Sequence, residues 1–216
     1  MAQIFPEWTN RLPLLGALGA GVVAPALLTG GIWYFGSPWY TDVGYMPRQP
    51  VPYSHKLHAG DMGIDCRYCH ASVEVSPVAN VPPTQVCMNC HKVVLPESEK
   101  LAPLRESVRT GEPINWMRVH KLPDYAFFNH GAHVRAGVGC VSCHGRIDEM
   151  EEVHQVQPLS MSWCLDCHRN PAPNLRPPSQ VTNMRWNPPA DQADFASKTI
   201  AERGIRPPVD CTGCHR

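Results

Sequence analysis

The stretch HKLHAGDMGIDCRYCH, residues 55–70, places two histidines three apart and follows them with Cys-x-x-Cys-His. The stretch FNHGAHVRAGVGCVSCH, residues 128–144, repeats the arrangement. All ten cysteines fall into such pairs, at Cys66/Cys69, Cys87/Cys90, Cys140/Cys143, Cys164/Cys167 and Cys211/Cys214. A disulfide scaffold gives no reason for five identical short spacings. A zinc ribbon fits the 17 residues between Cys69 and Cys87 and the 20 between Cys143 and Cys164. It gives no reason for His70, His91, His144, His168 and His215, each of which follows a second cysteine directly. With 11 histidines in 216 residues, five such placements arise by chance at roughly 3 in 10 million, and the motif reads as c-type haem attachment.

The chemistry requires this pattern. Each cysteine forms a thioether to one haem vinyl group, two residues span the gap between the vinyls, and the next residue turns its imidazole to the iron. CRYCH, CMNCH, CVSCH, CLDCH and CTGCH therefore predict five covalently bound haem c groups.

The upstream histidines answer the need for a second axial ligand. An iron held by one His has an open sixth position, and a filled one restricts it to electron transfer. On a helical turn, residues three apart share a face and reach two neighbouring sites. His55 and His130 are thus assigned to the first haem of each unit, and His58 and His133 to the second. The fifth haem draws on His120 or His154, and the reading prefers His120. His154 follows the acidic run 148–153, read as a solvated face, and is expected exposed. Met161 is a further candidate, although most methionines only pack. Five proximal and five distal ligands consume ten of eleven histidines. No iron is then obliged to stay open, and no catalytic site is expected.

Residues 12–35, LPLLGALGAGVVAPALLTGGIWYF, carry no charge over 24 positions, long enough to span a hydrocarbon core. A cleaved signal has an apolar region of only about 7–15 residues, so a retained anchor is favoured. Trp33, Tyr34, Phe35, Trp39 and Tyr40 suit a membrane interface. Gly16, Ala20 and Ala24 recur every four residues, as do Ala17 and Gly21, the pattern of close helix packing. Pro25 is expected to kink the helix. The anticipated division is a cytoplasmic N-terminus (1–11), the anchor (12–35), a Pro-rich linker (36–52) and a pentahaem domain (53–216). The last comprises dihaem units at 53–95 and 118–170 and the fifth haem at 205–216. The haem domain belongs on the periplasmic side of a bacterial inner membrane, crossed once.

Prolines and weak periodicity predict a mainly helical, loop-rich fold packed around haem, with few or no strands. Residues 190–204 are the best helix candidate, with Gly204 as a stop. Net charge is zero, which implies no nucleic-acid partner.

Beyond these derivations, PVPYSHKLHAGDMGIDCRYCH, RVHKLPDYAFFNHGAHVRAGVGCVSCHGRIDEMEEV and PLSMSWCLDCHRNP resemble the pentahaem cytochrome c subunit of alternative complex III. The HxxH unit is also similar to class III-type multihaem cytochromes. The first resemblance covers about residues 8–215. It implies a relay in a quinol-oxidising respiratory or photosynthetic complex, with an iron–sulfur protein and polytopic membrane subunits as partners. A monohaem cytochrome, a periplasmic cytochrome or copper carrier, or a terminal oxidase would receive the electrons. It again favours His120 over His154. Two alternatives stand beside it. One is a tetrahaem-type membrane quinol dehydrogenase, a family with a methionine just past the first haem histidine, where this chain has Ala71, Ser72 and Val73. The other is a multihaem reductase with one open haem.

Overall fold

A computed structural model describes residues 4–37 and 40–215. The chain divides into two units, Met1–Asp42 and Val43–Arg216.

The first unit is built on one helix, Glu7–Gly36, long and apolar enough to cross a membrane and with none of its apolar window buried within the protein. It starts five residues before the predicted anchor, in a 3-10 turn at Glu7–Arg11. Its middle widens into a π turn at Gly19–Val23, where the Ala24 amide donates to Gly19 O rather than Ala20 O. Pro25 explains the widening. It has no N–H for the fourth residue back, and its ring would press on that residue's carbonyl. The longer hydrogen bond relieves both, so the predicted Pro25 disturbance takes the form of a π turn. At the helix end Tyr34, Phe35 and Tyr40 pack edge to face, with Phe35 and Tyr40 centroids 5.0 Å apart. Trp39 lies outside the described residues.

The second unit is helical and loop-rich. Among the described residues there is no β-strand, only isolated bridges at Ala126–His215 and Val138–Leu175. Its helices are short, including Thr84–His91, Ala102–Thr110, His130–Ala136 and Met161–Arg169. The predicted helix at 190–204 forms as Gln192–Arg203, closed by Gly204 at φ +60°. Glycine takes that left-handed cap without a Cβ penalty. The buried apolar side chains are few and scattered: Val51, Leu104, Val134, Met150, Leu175, Val181 and Ala196. Polypeptide packing alone gives this unit little core, as expected for a fold organised around large apolar cofactors.

The two predicted dihaem units interlock. The amides of Gly131 and His130 donate to Ser76 O and Pro77 O, at 3.0 and 3.2 Å, and Arg135 Nη1 donates to Glu74 O at 2.7 Å. In return, Lys56 N donates to Met150 O at 2.9 Å, and Gly60 lies so close to the Asp148 carbonyl that a Cβ would meet its oxygen at 2.2 Å. The acidic run is not wholly a solvated face. Asp148 is buried and paired with Arg146 at 2.8 Å, with Arg185 at 3.8 Å. The distal half of the Pro-rich stretch belongs to this unit too. Gly44 N donates to Gln155 O and Gln155 N to Tyr45 O, and the Gln49 amide group exchanges two hydrogen bonds with the Met117 backbone.

Candidate haem sites

Each Cys-x-x-Cys is helical, the first, third and fifth as short turns and the second and fourth within the helices Thr84–His91 and Met161–Arg169. At the first motif Asp65 caps the turn, its Oδ1 accepting from Arg67 N at 2.8 Å. At the fifth, Asp210 does the same for Gly213 N at 3.0 Å. In the fourth, Ser160 caps the helix through Trp163 N. Such caps supply partners for amides that a helix start leaves unpaired.

Ring orientation is set by backbone carbonyls. His70 Nδ1 lies 2.5 Å from Asn80 O, His91 Nδ1 3.0 Å from Val94 O, His168 Nδ1 2.7 Å from Pro208 O, and His215 Nδ1 3.1 Å from Tyr125 O. Among the upstream histidines, His58 Nδ1 meets Ser54 O at 2.8 Å, His133 Nδ1 meets Asn129 O at 2.8 Å, and His130 Nδ1 meets Pro77 O at 2.8 Å. A carbonyl only accepts, so each Nδ1 carries the proton, and the neutral ring leaves Nε2 with a bare lone pair. That tautomer and that backing hydrogen bond are what a metal-ligating histidine needs.

The distances between rings carry the argument further. Two trans imidazoles on one metal, with bonds of roughly 2.0–2.1 Å and about 1.1 Å from nitrogen to ring centre, have centroids about 6.3 Å apart. His58 and His91 are separated by 6.1 Å, His133 and His168 by 6.0 Å, and His130 and His144 by 6.4 Å. The last pair is 14° from parallel. His70 and His58 both lie near His55. The three ring pairs above join histidines that the sequence reading assigns to shared haems.

Burial keeps the central rings neutral. It holds His55 down to about 4, with His70 and His58 adding to the effect. It holds His144 down to about 3, helped by His120, His130, His70 and His55. Both stay uncharged at neutral pH, and an uncharged imidazole binds metal without first losing a proton. His55 Nδ1, His144 Nδ1 and His120 Nε2 are buried polar atoms with no partner. A metal on Nε2 would satisfy His120, whereas at His55 and His144 it would leave Nδ1 without the carbonyl that backs the seven rings above. Those seven rings fit haem iron. Among the described residues no three His, Cys, Asp or Glu side chains converge on a metal position.

Histidines at the fifth motif are arranged differently. The ring beside His215 is Tyr125, at 5.7 Å. His120 lies instead against His144, edge to face at 4.4 Å, too close for a metal between them. Its charged neighbours are His130 and His154. His154 is half-buried, not exposed as expected. Met161 is exposed.

As free thiols, Cys69, Cys143 and Cys164 are all raised by burial, and after burial by the sulfurs nearest them: Cys87 and Cys66 for Cys69, Cys167 and Cys164 for Cys143, Cys214 and Cys167 for Cys164. Cys140 is raised and Cys66 lowered by one another. The first motif thus lies near the second and the third, the third near the fourth, and the fourth near the fifth.

One pair of residues escaped the sequence reading. Tyr53 stacks on His58 at 4.5 Å and meets His55 edge-on at 4.8 Å. Phe128 repeats both contacts, with His133 at 4.6 Å and His130 at 4.7 Å. The signal was an aromatic two residues before the first histidine in both copies.

No family model matches the chain. It is similar to the multiheme cytochrome c subunit of menaquinone reductase from Nitratidesulfovibrio vulgaris (strain Hildenborough). The two are 31% identical over 154 residues, 71% of this chain and 65% of that one, so the match spans just under two thirds of the relative.

Proposed function

We propose that this chain is a membrane-anchored pentahaem c-type cytochrome that relays electrons within a quinol-oxidising complex, of the alternative complex III kind. Bound haem supplies one-electron Fe(III)/Fe(II) exchange. The chain's own part is to hold each group through two cysteines and to cap the iron on both faces. His70 with His55, His91 with His58, His144 with His130, and His168 with His133 are the ligand pairs. The carrying observation is the spacing of 6.0–6.4 Å between paired rings. The adjoining thiols support a spatial order of second, first, third, fourth and fifth site. In that order the chain's first motif is an interior station and its second motif a terminus.

His120 is proposed as the sixth ligand of the fifth iron. Five residues of chain join it to Tyr125, whose carbonyl holds His215, a tether of at most about 17 Å. A second reading is favoured by its packing on His144: the fifth iron keeps an exchangeable site, as in a reductase. Carbon monoxide binding decides. Absence of binding by the reduced protein supports the full ten-histidine set, and binding at one haem in five supports the second reading.

The likeness to a menaquinone reductase subunit supports a quinol-linked complex; polytopic membrane and iron–sulfur subunits are the partners that the resemblance to alternative complex III implies. The helix Glu7–Gly36 is proposed to cross the inner membrane once, with Val43–Arg216 on the periplasmic side. Purifying the intact complex and naming its subunits tests the assignment. Recovery of this chain without a quinol-reactive partner would overturn it.

A further inference from the structure

In each copy the residue two places before the first upstream histidine is aromatic, and the residue between them starts the turn. Ser54 Oγ accepts from Leu57 N at 3.0 Å, and Ser54 O holds His58 Nδ1 at 2.8 Å. Asn129 Oδ1 accepts from Ala132 N at 3.1 Å, and Asn129 O holds His133 Nδ1 at 2.8 Å. The aromatic side chain ahead of each cap lies against both imidazoles. Tyr53 is 21° from the plane of His58 and 83° from that of His55, so the planes of those two histidines differ by at least the difference, 62°. Phe128 is 27° from the plane of His133 and 87° from that of His130, so those planes differ by at least 60°. One aromatic ring per copy thus meets both histidines, and their planes cross. Face-to-edge and offset-stacked contacts of this kind have preferred geometries, which is how a ring can fix the rotation of its neighbour.

The copies differ in what else holds the first histidine. His130 Nδ1 donates to Pro77 O at 2.8 Å. His55 Nδ1 is buried and has no hydrogen-bond partner. A backing hydrogen bond is the usual device that orients a ligating imidazole, and at His55 the edge of Tyr53 stands in its place. The plane matters on an iron. The π orbital of an axial imidazole overlaps the metal d orbital perpendicular to its ring, so the angle between the two axial rings sets the g anisotropy of a low-spin haem.

We propose that Tyr53 and Phe128 are positioning residues that set the ring planes of the upstream ligands in their own copies, with Tyr53 bearing the larger share because no carbonyl backs His55. The proposal rests on the haem reading of the Cys-x-x-Cys-His motifs, so covalent haem per chain is counted first. A wild-type protein without covalent haem would sink that reading; once haem is present, the spectra test the positioning role alone.

The test is electron paramagnetic resonance of the oxidised, membrane-bound protein as wild type, Tyr53→Ala, Tyr53→Phe and Phe128→Ala. Tyr53→Ala is expected to shift the largest g value of two low-spin components, and Phe128→Ala that of two others, by a smaller amount. Tyr53→Phe keeps the ring and is expected to restore the wild-type spectrum. Unchanged g values in Tyr53→Ala would overturn the proposal. So would equal movement of every component in either alanine variant, which would mark a general loosening, or a shift in Tyr53→Phe as large as that in Tyr53→Ala. A shift in Phe128→Ala at least as large as that in Tyr53→Ala would overturn the larger share given to Tyr53. If Tyr53→Ala fails to load its haems, Tyr53→Leu decides, because it fills the space without a ring plane. The same two-component shift is expected there, and an unshifted spectrum contradicts the proposal.

Discussion

The ring centroids of His130 and His144 lie 6.4 Å apart with planes 14° from parallel, although 14 positions separate them in the chain. His130 reaches that position because Pro77 of the other predicted unit accepts from its Nδ1. The first unit thus helps aim a histidine of the second. Replacing His130 by alanine is expected to turn one haem from low-spin to high-spin and to open it to carbon monoxide, with the other haems unchanged. Electron paramagnetic resonance of the oxidised protein checks this.

The aromatic clamp should matter to both ligands of a unit. Phe128→Ala is expected to cost at least the ring-pair term of about 0.5–1.5 kcal/mol and to broaden the low-spin signals of the third and fourth haems. Phe128→Tyr, which copies Tyr53, should be close to neutral. Thermal unfolding and low-temperature spectra of the two variants report the difference.

Gly60 is pressed against the Asp148 carbonyl, where a Cβ would meet the oxygen at 2.2 Å. Gly60→Ala is expected to destabilise the fold by about 1–3 kcal/mol, the usual range for overpacking. Denaturant unfolding measures it, and a neutral result would mean that the turn at 56–61 shifts freely.

Asp65 bonds to Arg67 and accepts from Thr182 Oγ1 at 2.9 Å, tying the first motif to the loop beyond the fourth. Its carboxyl is held down to about 2, chiefly by the Arg67 hydrogen bond and against the opposing effect of burial. The folded value lies below the unfolded one, near 3.9. The contribution is therefore fully present above the unfolded value and is lost as pH falls through about 2. With 43% of the side chain exposed, it is worth at most about 1 kcal/mol. Asp65→Asn should remove this pH dependence from unfolding curves measured between those two values.

The proposed site order makes the third motif the centre of the line. Replacing Cys140 and Cys143 together should separate the first two haems from the last two and slow electron equilibration between them. Replacing Cys87 and Cys90 should only shorten one end. Stopped-flow reduction distinguishes the two, and equal effects would contradict the order.

Much of this was legible from residue types alone. Cys-x-x-Cys-His carries its chemistry in its spacing, and the helix 192–203 and the apolar segment carry periodicity and length. From the second upstream histidine to the first cysteine is eight positions in the first copy (His58 to Cys66) and seven in the second (His133 to Cys140), and nothing local says how the chain accommodates the difference. In the first copy a π turn at Lys56–Asp61 takes up the extra residue, and in the second the helix His130–Ala136 needs none. Both then close alike, Ile64 N on His58 O and Val138 N on His133 O, each at 3.0 Å. The burial of Asp148 was hidden, because the Gly60 turn pressed against it and its partner Arg185 come from distant parts of the chain.

The most direct test of the central claim is a joint count of covalent haem and spin state on the intact membrane protein. Pyridine haemochrome analysis should give five haems per chain, and the integrated low-spin resonance should account for at least the four histidine-paired ones. High-spin iron at two or more haems, or paired cysteines without porphyrin, would contradict the account.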